Sequence, residues 1–196
     1  MRRLLITLGV VFGLLILGYF MFKGSYNRMV EENETVKGAW AQVEDQYQRR
    51  HDLIGNLVET VKGYANKEED ILVQVTQARA AAMAAMQSTT SDGQPDLAAI
   101  QQSQSKLGGA MRGMFGYTEN YPDLKSSKLF SDLQAQIEGT ENRLSTARSR
   151  FNDTVQGYNK LILAFPNNFI AGMFGFKERD YFKSVDGADT APEVKF

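Results

Sequence analysis

The chain has 196 residues, 43% of them hydrophobic, a formal net charge of −1 and no cysteine. Such a composition belongs to an ordered protein with room for one domain and an appendage. The lack of cysteine excludes disulfides, thiolate metal sites, a cysteine nucleophile and a lipoprotein anchor, which requires a cysteine to acylate.

After Arg2 and Arg3, the run "LLITLGVVFGLLILGYFMF" (Leu4 to Phe22) carries no charge, and Lys23 closes it. As a helix it reaches about 28 Å, close to the thickness of a bilayer core. A signal peptide has a shorter apolar region and a small-x-small cleavage site, whereas this run exits through the bulky "YFMFKGS". The prediction is an uncleaved single-pass anchor in the cell (inner) membrane. Gly9 and Gly13 form a Gly-x-x-x-Gly that lets two anchors pack closely, which makes a homo-oligomer one expectation. Counting only Lys and Arg, the compact cluster before the anchor favours a cytoplasmic N-terminus and a bundle on the periplasmic or extracellular side. Without Arg2, Arg3 and Lys23 the rest keeps 19 basic against 23 acidic residues. A domain at about −4 lacks the phosphate-neutralising charge of a nucleic-acid binder.

Beyond the anchor, apolar residues recur at alternating steps of four and three: Val36, Trp40, Val43, Tyr47, then Ile54, Leu57, Val61, Tyr64, then Ile71, Val75, Ala78, Ala82. That heptad is the seam of a helix packed against other helices. It predicts one helix from Tyr26 to Met86, with Gly55 as the place for a kink. "QSTTSDGQPD" reads as a loop, and Asp96 as the cap of a second helix with Leu97, Ile100, Leu107, Met111 and Met114 on one face. "GYTENYPDLKS" breaks that helix, and Ser127 caps a third, with a seam of Phe130, Leu133, Ile137, Leu144, Phe151, Val155, Tyr158 and Ile162. Pro166 stops it, and "NNFIAGMFGF" is a short fourth helix over one end. The expected fold is all-α: an N-terminal transmembrane helix (1–23), an antiparallel up-and-down bundle of long heptad-patterned helices (24–182), and an extended tail (183–196) ending "APEVKF".

The seam is interrupted by Arg50, Glu68 and Thr140. A buried unpaired charge is costly, so each is expected at the seam's edge or paired, with Glu138 or Glu141 opposite Arg50. "RRHDLIG" holds the only histidine, His51, beside Asp52. A di-metal bundle needs Glu-x-x-His on two helices, but Gln48 stands three residues before His51 and no second histidine exists. His-Glu-x-x-His, Gly-x-Ser-x-Gly and Gly-x-x-x-x-Gly-Lys are likewise missing. His51 therefore reads as part of a solvated face, and no catalytic, metal or cofactor residue is assigned. "EENE" and "KEED" lack calcium-loop spacing and read as solvated faces too. The cluster Phe165, Phe169, Ile170, Met173, Phe174, Phe176, Tyr181 and Phe182 is read first as closing the bundle's end. Its second reading is a surface that grips a partner or dips into a membrane through Phe169, Ile170, Phe174 and Phe176.

The anchor, "SYNRMVEENETVKGAWAQVEDQYQRRHDLIGNLVETVKGYA", "ENYPDLKSSKLFSDLQAQIEGTENRLSTARSRFNDTVQGYNKLILAFP", "FIAGMFGF" and "APEVKF" together resemble the LemA family of bacterial membrane proteins. The resemblance covers Tyr26 to Phe196. It departs at Gly55, where the family pattern has proline. It implies a single-pass membrane protein with a helical bundle, no established enzymatic activity and work in membrane organisation. It also implies an N-terminus outside the cell, against the charge argument. The expectation is a membrane-anchored, non-enzymatic interaction or membrane-organising module with an unidentified protein partner. Two alternatives are carried: a metal-dependent or hydrolytic bundle enzyme, disfavoured for want of a constellation, and a lipid-binding module using the phenylalanine-rich end.

Overall fold

The computed structural model describes residues 2–64 and 69–183. Six α-helices follow one another among these residues: α1 (Arg2–Lys62), α2 (Glu69–Met86), α3 (Leu97–Tyr117), α4 (Pro122–Lys125), α5 (Lys128–Leu163) and α6 (Asn167–Phe174). A 3₁₀ turn, Thr118–Asn120, separates α3 from α4. The only β pairing among the described residues is an isolated bridge, Thr89 to Pro95, inside the α2–α3 loop. The all-α expectation holds.

The first helix departs from its predicted bounds at both ends. It continues without a break from the apolar N-terminal run, stays helical through Gly55, and ends at Lys62. Gly63 and Tyr64 form the closing turn, with the Tyr64 N–H donating to the Val61 carbonyl at 3.0 Å. The chain then returns as α2, so the expected helix from Tyr26 to Met86 is in fact two antiparallel helices. The heptad hid the reversal because Tyr64 and Ile71 stand seven residues apart on either side of it. Tyr64 is 46% exposed; of the predicted α2 positions Val75 and Ala82 are buried and Ile71 and Ala78 pack partly buried on the same core, where Leu72 joins them. Lys67 and Glu68, the first half of "KEED", lie outside the described residues, as does the tail beyond Lys183.

The later elements follow their local signals. Asp96 caps α3, its carboxylate accepting from the Ala99 N–H at 2.9 Å. Leu97, Ile100, Leu107, Met111 and Met114 are all buried on its inner face. α5 starts directly after Ser127, whose carbonyl accepts the first helical bond from Ser131 at 3.1 Å. Its predicted seam is buried from Phe130 to Ile162.

The chain packs as two compact units, one of Met1–Ala41 with Arg150–Arg179, the other of Gln42–Ser149 with the stretch from Asp180. In the first, α1 and α5 run antiparallel, with Trp40 edge-on to Phe151 at 5.7 Å. Met29, Val36, Val155, Tyr158 and Ile162 form its interior. Asn159 clasps the Arg179 backbone in both directions at 2.9 Å, and the Arg179 guanidinium donates to Asn33 at 2.8 Å. In the second unit the lower part of α1, α2, α3 and the first half of α5 make an up-and-down bundle. Leu57, Val58, Val75, Leu107, Met114, Leu124 and Leu133 fill its core. Burial of such side chains stabilises by about 1.5–3 kcal/mol each.

Candidate interaction site

Polar residues at heptad positions on three helices of the second unit converge into one buried layer. Arg50 of α1 is 6% exposed; it donates to Gln104 Oε1 of α3 at 2.9 Å and forms an ion pair with Glu141 of α5. Burial pushes the Arg50 guanidinium below its ordinary range, and the Glu141 carboxylate works against that. Its Nε is buried without a hydrogen-bond partner. One turn earlier, the Tyr47 phenol accepts two bonds from Arg148, at 2.6 Å from Nη2 and 3.1 Å from Nε. Burial raises the Tyr47 phenol; Arg148, by charge and hydrogen bond, opposes the rise. Arg148 also lies over the Tyr47 and Phe182 rings at 5.4 and 5.3 Å. The expected pairing of Arg50 with Glu141 is present. Thr140, fully buried, donates to the Gln136 carbonyl at 2.8 Å and accepts from Arg143.

This layer forms the back of an open groove along α3 and α5, about 910 Å³ in volume. Met111 and Ile137 line its apolar part, and Lys106, Arg112 and Lys183 bring further positive charge. Its polar lining mixes these cations with the Glu138 and Glu141 carboxylates and the amides of Gln101, Gln102 and Gln104. Among the described residues, no three His, Asp or Glu side chains converge as a metal-binding set.

His51 sits at the margin of the same unit. Its backbone carbonyl accepts from Arg79 Nε at 3.0 Å, and its Nδ1 lies 3.3 Å from both Arg79 Nη2 and Asp52 Oδ1. The ring is one-fifth exposed, so the histidine is less solvated than its sequence position suggested. It serves as a strut that ties α2 to α1.

The remaining predicted residues fall in the first unit, apart from Tyr181 and the buried Phe182 of the second. Gly9 and Gly13 stand on a fully exposed stretch of α1, with no atom within 4 Å of where a Cβ would be. Ile170 is buried, while Phe169 is 67% and Phe174 50% exposed. Phe174 packs on Phe22 and Tyr26 at 5.7 and 4.8 Å, and Phe176 on Tyr26 at 5.8 Å. Gly175, at φ 75°, ends α6 and lets the Phe176 N–H close on the Ala171 carbonyl at 3.0 Å. The aromatic cluster is thus divided: Ile170 and Ala171 face inward, and Phe165, Phe169 and Met173 face out.

Gln104, Arg148 and Arg79 were not singled out from sequence. A signal existed for two of them: Gln104 stands at the heptad step between Ile100 and Leu107, and Arg148 between Leu144 and Phe151. Each is a polar interruption of the same kind as Arg50.

These features define a class of all-α protein in which an exposed apolar N-terminal helix runs directly into a helical bundle. The sequence profile of the LemA family matches residues 39–196, and the chain belongs to that family. It is 25% identical over 187 residues to magnetosome protein MamQ 2 of Paramagnetospirillum magneticum, an alignment covering 84% of this chain and 67% of that one. It is equally 25% identical, with the same coverage, to magnetosome protein MamQ of Magnetospirillum gryphiswaldense. A protein LemA of Metamycoplasma hominis matches at 25% over 165 residues, covering 83% of this chain and 71% of the other.

Proposed function

We propose that this protein is a membrane-anchored, non-enzymatic module that binds a protein partner or organises a membrane through its helical bundle. The observation that carries this reading is the unbroken course of α1. Its first segment has a mean hydropathy of 2.0 over the most apolar 18 residues, none of that window is buried, and the same helix continues to Lys62 in the bundle. Exposed apolar surface of that length has a natural solvent in a bilayer core. Relatives described as magnetosome proteins support work at an organelle. The positive residues Arg2 and Arg3 favour a bundle outside the inner membrane.

The lack of cysteine makes the test clean. Ser126, exposed in the second unit, is changed to cysteine in the full chain, and intact cells are treated with a membrane-impermeant thiol reagent. Labelling in intact cells, from a protein that stays in the membrane after alkaline extraction, is the expected result. Labelling only after lysis puts the bundle in the cytoplasm and overturns the orientation. Release by alkaline extraction overturns the anchor. Stoichiometric metal in the purified chain overturns the non-enzymatic reading.

A further inference from the structure

The first unit carries an apolar surface that its own packing leaves uncovered. Leu163, Phe165, Phe169, Met173 and Phe174 are between 50% and 81% exposed, all within the turn that joins α5 to the returning strand of chain at Arg179. That turn has a definite height along α1. Phe151 meets Trp40, and a Cβ on Gly157 would lie 3.9 Å from Glu32 Oε2, so α5 runs back along α1 toward its N-terminal end at roughly equal pace. The turn therefore reaches the level of Phe22 to Tyr26, where Phe174 and Phe176 make their ring contacts. Phe22 is the last residue of the uncharged run.

Charge is distributed to match. No acidic residue occurs from Leu4 to Val30 or from Lys160 to Lys177, while Lys23, Arg28, Lys160 and Lys177 flank the apolar surface. Aromatic and aliphatic side chains rimmed by lysine and arginine are what the headgroup–acyl boundary of a bilayer receives. A water-soluble partner would place no such demand on the height of the patch.

We propose that the turn from Leu163 to Phe176 is a second membrane contact, with Phe165, Phe169 and Met173 inserted into the lipid boundary beside the point where α1 leaves the bilayer. This inference rests on the reading of α1 as a membrane span. Its consequence is mechanical: two attachments fix the tilt and rotation of the first unit, which a single helix alone does not.

The test uses the full chain reconstituted in vesicles of phosphatidylethanolamine and phosphatidylglycerol. Single cysteines replace Phe169, Met173, Leu15 or Gln156, all exposed, and each carries an environment-sensitive fluorophore. Leu15 reports on the span and Gln156 on a part of α5 further from it. Labels at 169 and 173 are expected to lose emission to lipids bearing a nitroxide high on the acyl chain, and to be protected from aqueous iodide. The label at 156 shows the reverse. Iodide quenching at 169 and 173, with Leu15 quenched by lipid, overturns the second contact and leaves the span standing. Protection at 169 and 173 from both quenchers means protein covers the patch, and overturns it as well. A Leu15 label untouched by lipid removes the span and this inference with it.

Discussion

Arg50 concentrates the energetics of the second unit into one side chain. Its guanidinium is out of water, held by Gln104 and Glu141, with Nε unpaired. Removing Glu141 leaves a buried charge uncompensated. Because the Glu141 side chain is itself 44% exposed, Glu141→Ala is expected to cost about 1–3 kcal/mol rather than the larger loss of a fully buried pair. Replacing the whole set, as Arg50→Met with Gln104→Leu and Glu141→Leu, should recover most of that loss, since an apolar trio leaves neither a desolvated ion nor an unpaired amide. Urea unfolding of the detergent-solubilised chain, followed by circular dichroism, measures both. A triple variant weaker than Glu141→Ala alone would sink the argument. Tyr47 adds a pH dependence. Burial holds its phenol above the ordinary value of about 10, so the unfolded chain ionises first as pH rises. Stability from this group is complete below about pH 10 and is lost as pH climbs through the folded value. Tyr47→Phe starts about 1 kcal/mol lower at neutral pH, having lost the Arg148 bonds, but declines less steeply in alkali. Equal alkaline slopes in the two proteins would remove Tyr47 from the account. At this scale the sequence was readable where a polar residue interrupted a seam and its partner had opposite charge, as with Arg50 and Glu141. Gln104 was harder to find, because a neutral amide on a helix face gives no sign of what it meets until the third helix is in place.

Each helix had a local signal for its start or stop, and most of those signals held: Asp96 before α3, Ser127 before α5, Pro166 after it. The exception is the reversal between α1 and α2, where a heptad that continues in phase past Gly63 masks the end of the helix at Lys62. The packing of these two helices is testable at Gly55. Within an α-helix Gly→Ala is worth about 1 kcal/mol in propensity. A Cβ at Gly55 would, however, stand 2.8 Å from the Arg79 guanidinium that bonds the His51 carbonyl. Gly55→Ala should therefore stabilise less in the native background than in Arg79→Ala, by several tenths of a kcal/mol or more. Additivity of the two changes in urea unfolding would mean that Arg79 does not cross Gly55, and that α2 does not fold back along α1 as described.

The division into two units was not legible, because the seams of α1 and α5 pass through both without a change of period. What separates them is the content of the layers. The buried cluster from Leu53 to Ile137 draws on no residue outside Gln42–Ser149. The interior of the first unit instead needs two distant pieces of chain, Met29 to Ala39 and Phe151 to Ala171. Contiguity has a consequence for folding. A fragment of residues 42–149 keeps parts of α1 and α5, all of α2, α3 and α4, and the whole of the second unit's core, and gives up the contacts from Phe182 to Arg148 and from Lys183 to Gln101. At about 110 residues it falls within the range where single domains unfold cooperatively. It is expected to give a helical spectrum and one sigmoidal urea transition. Residues 150–183 alone, deprived of α1, bury almost none of their apolar face and should be unfolded in water, since an isolated helix of that length is marginal. A fragment 42–149 that melts gradually, without a transition, would mean that the first unit's half of α1 or α5 is required to hold the second unit's helices together.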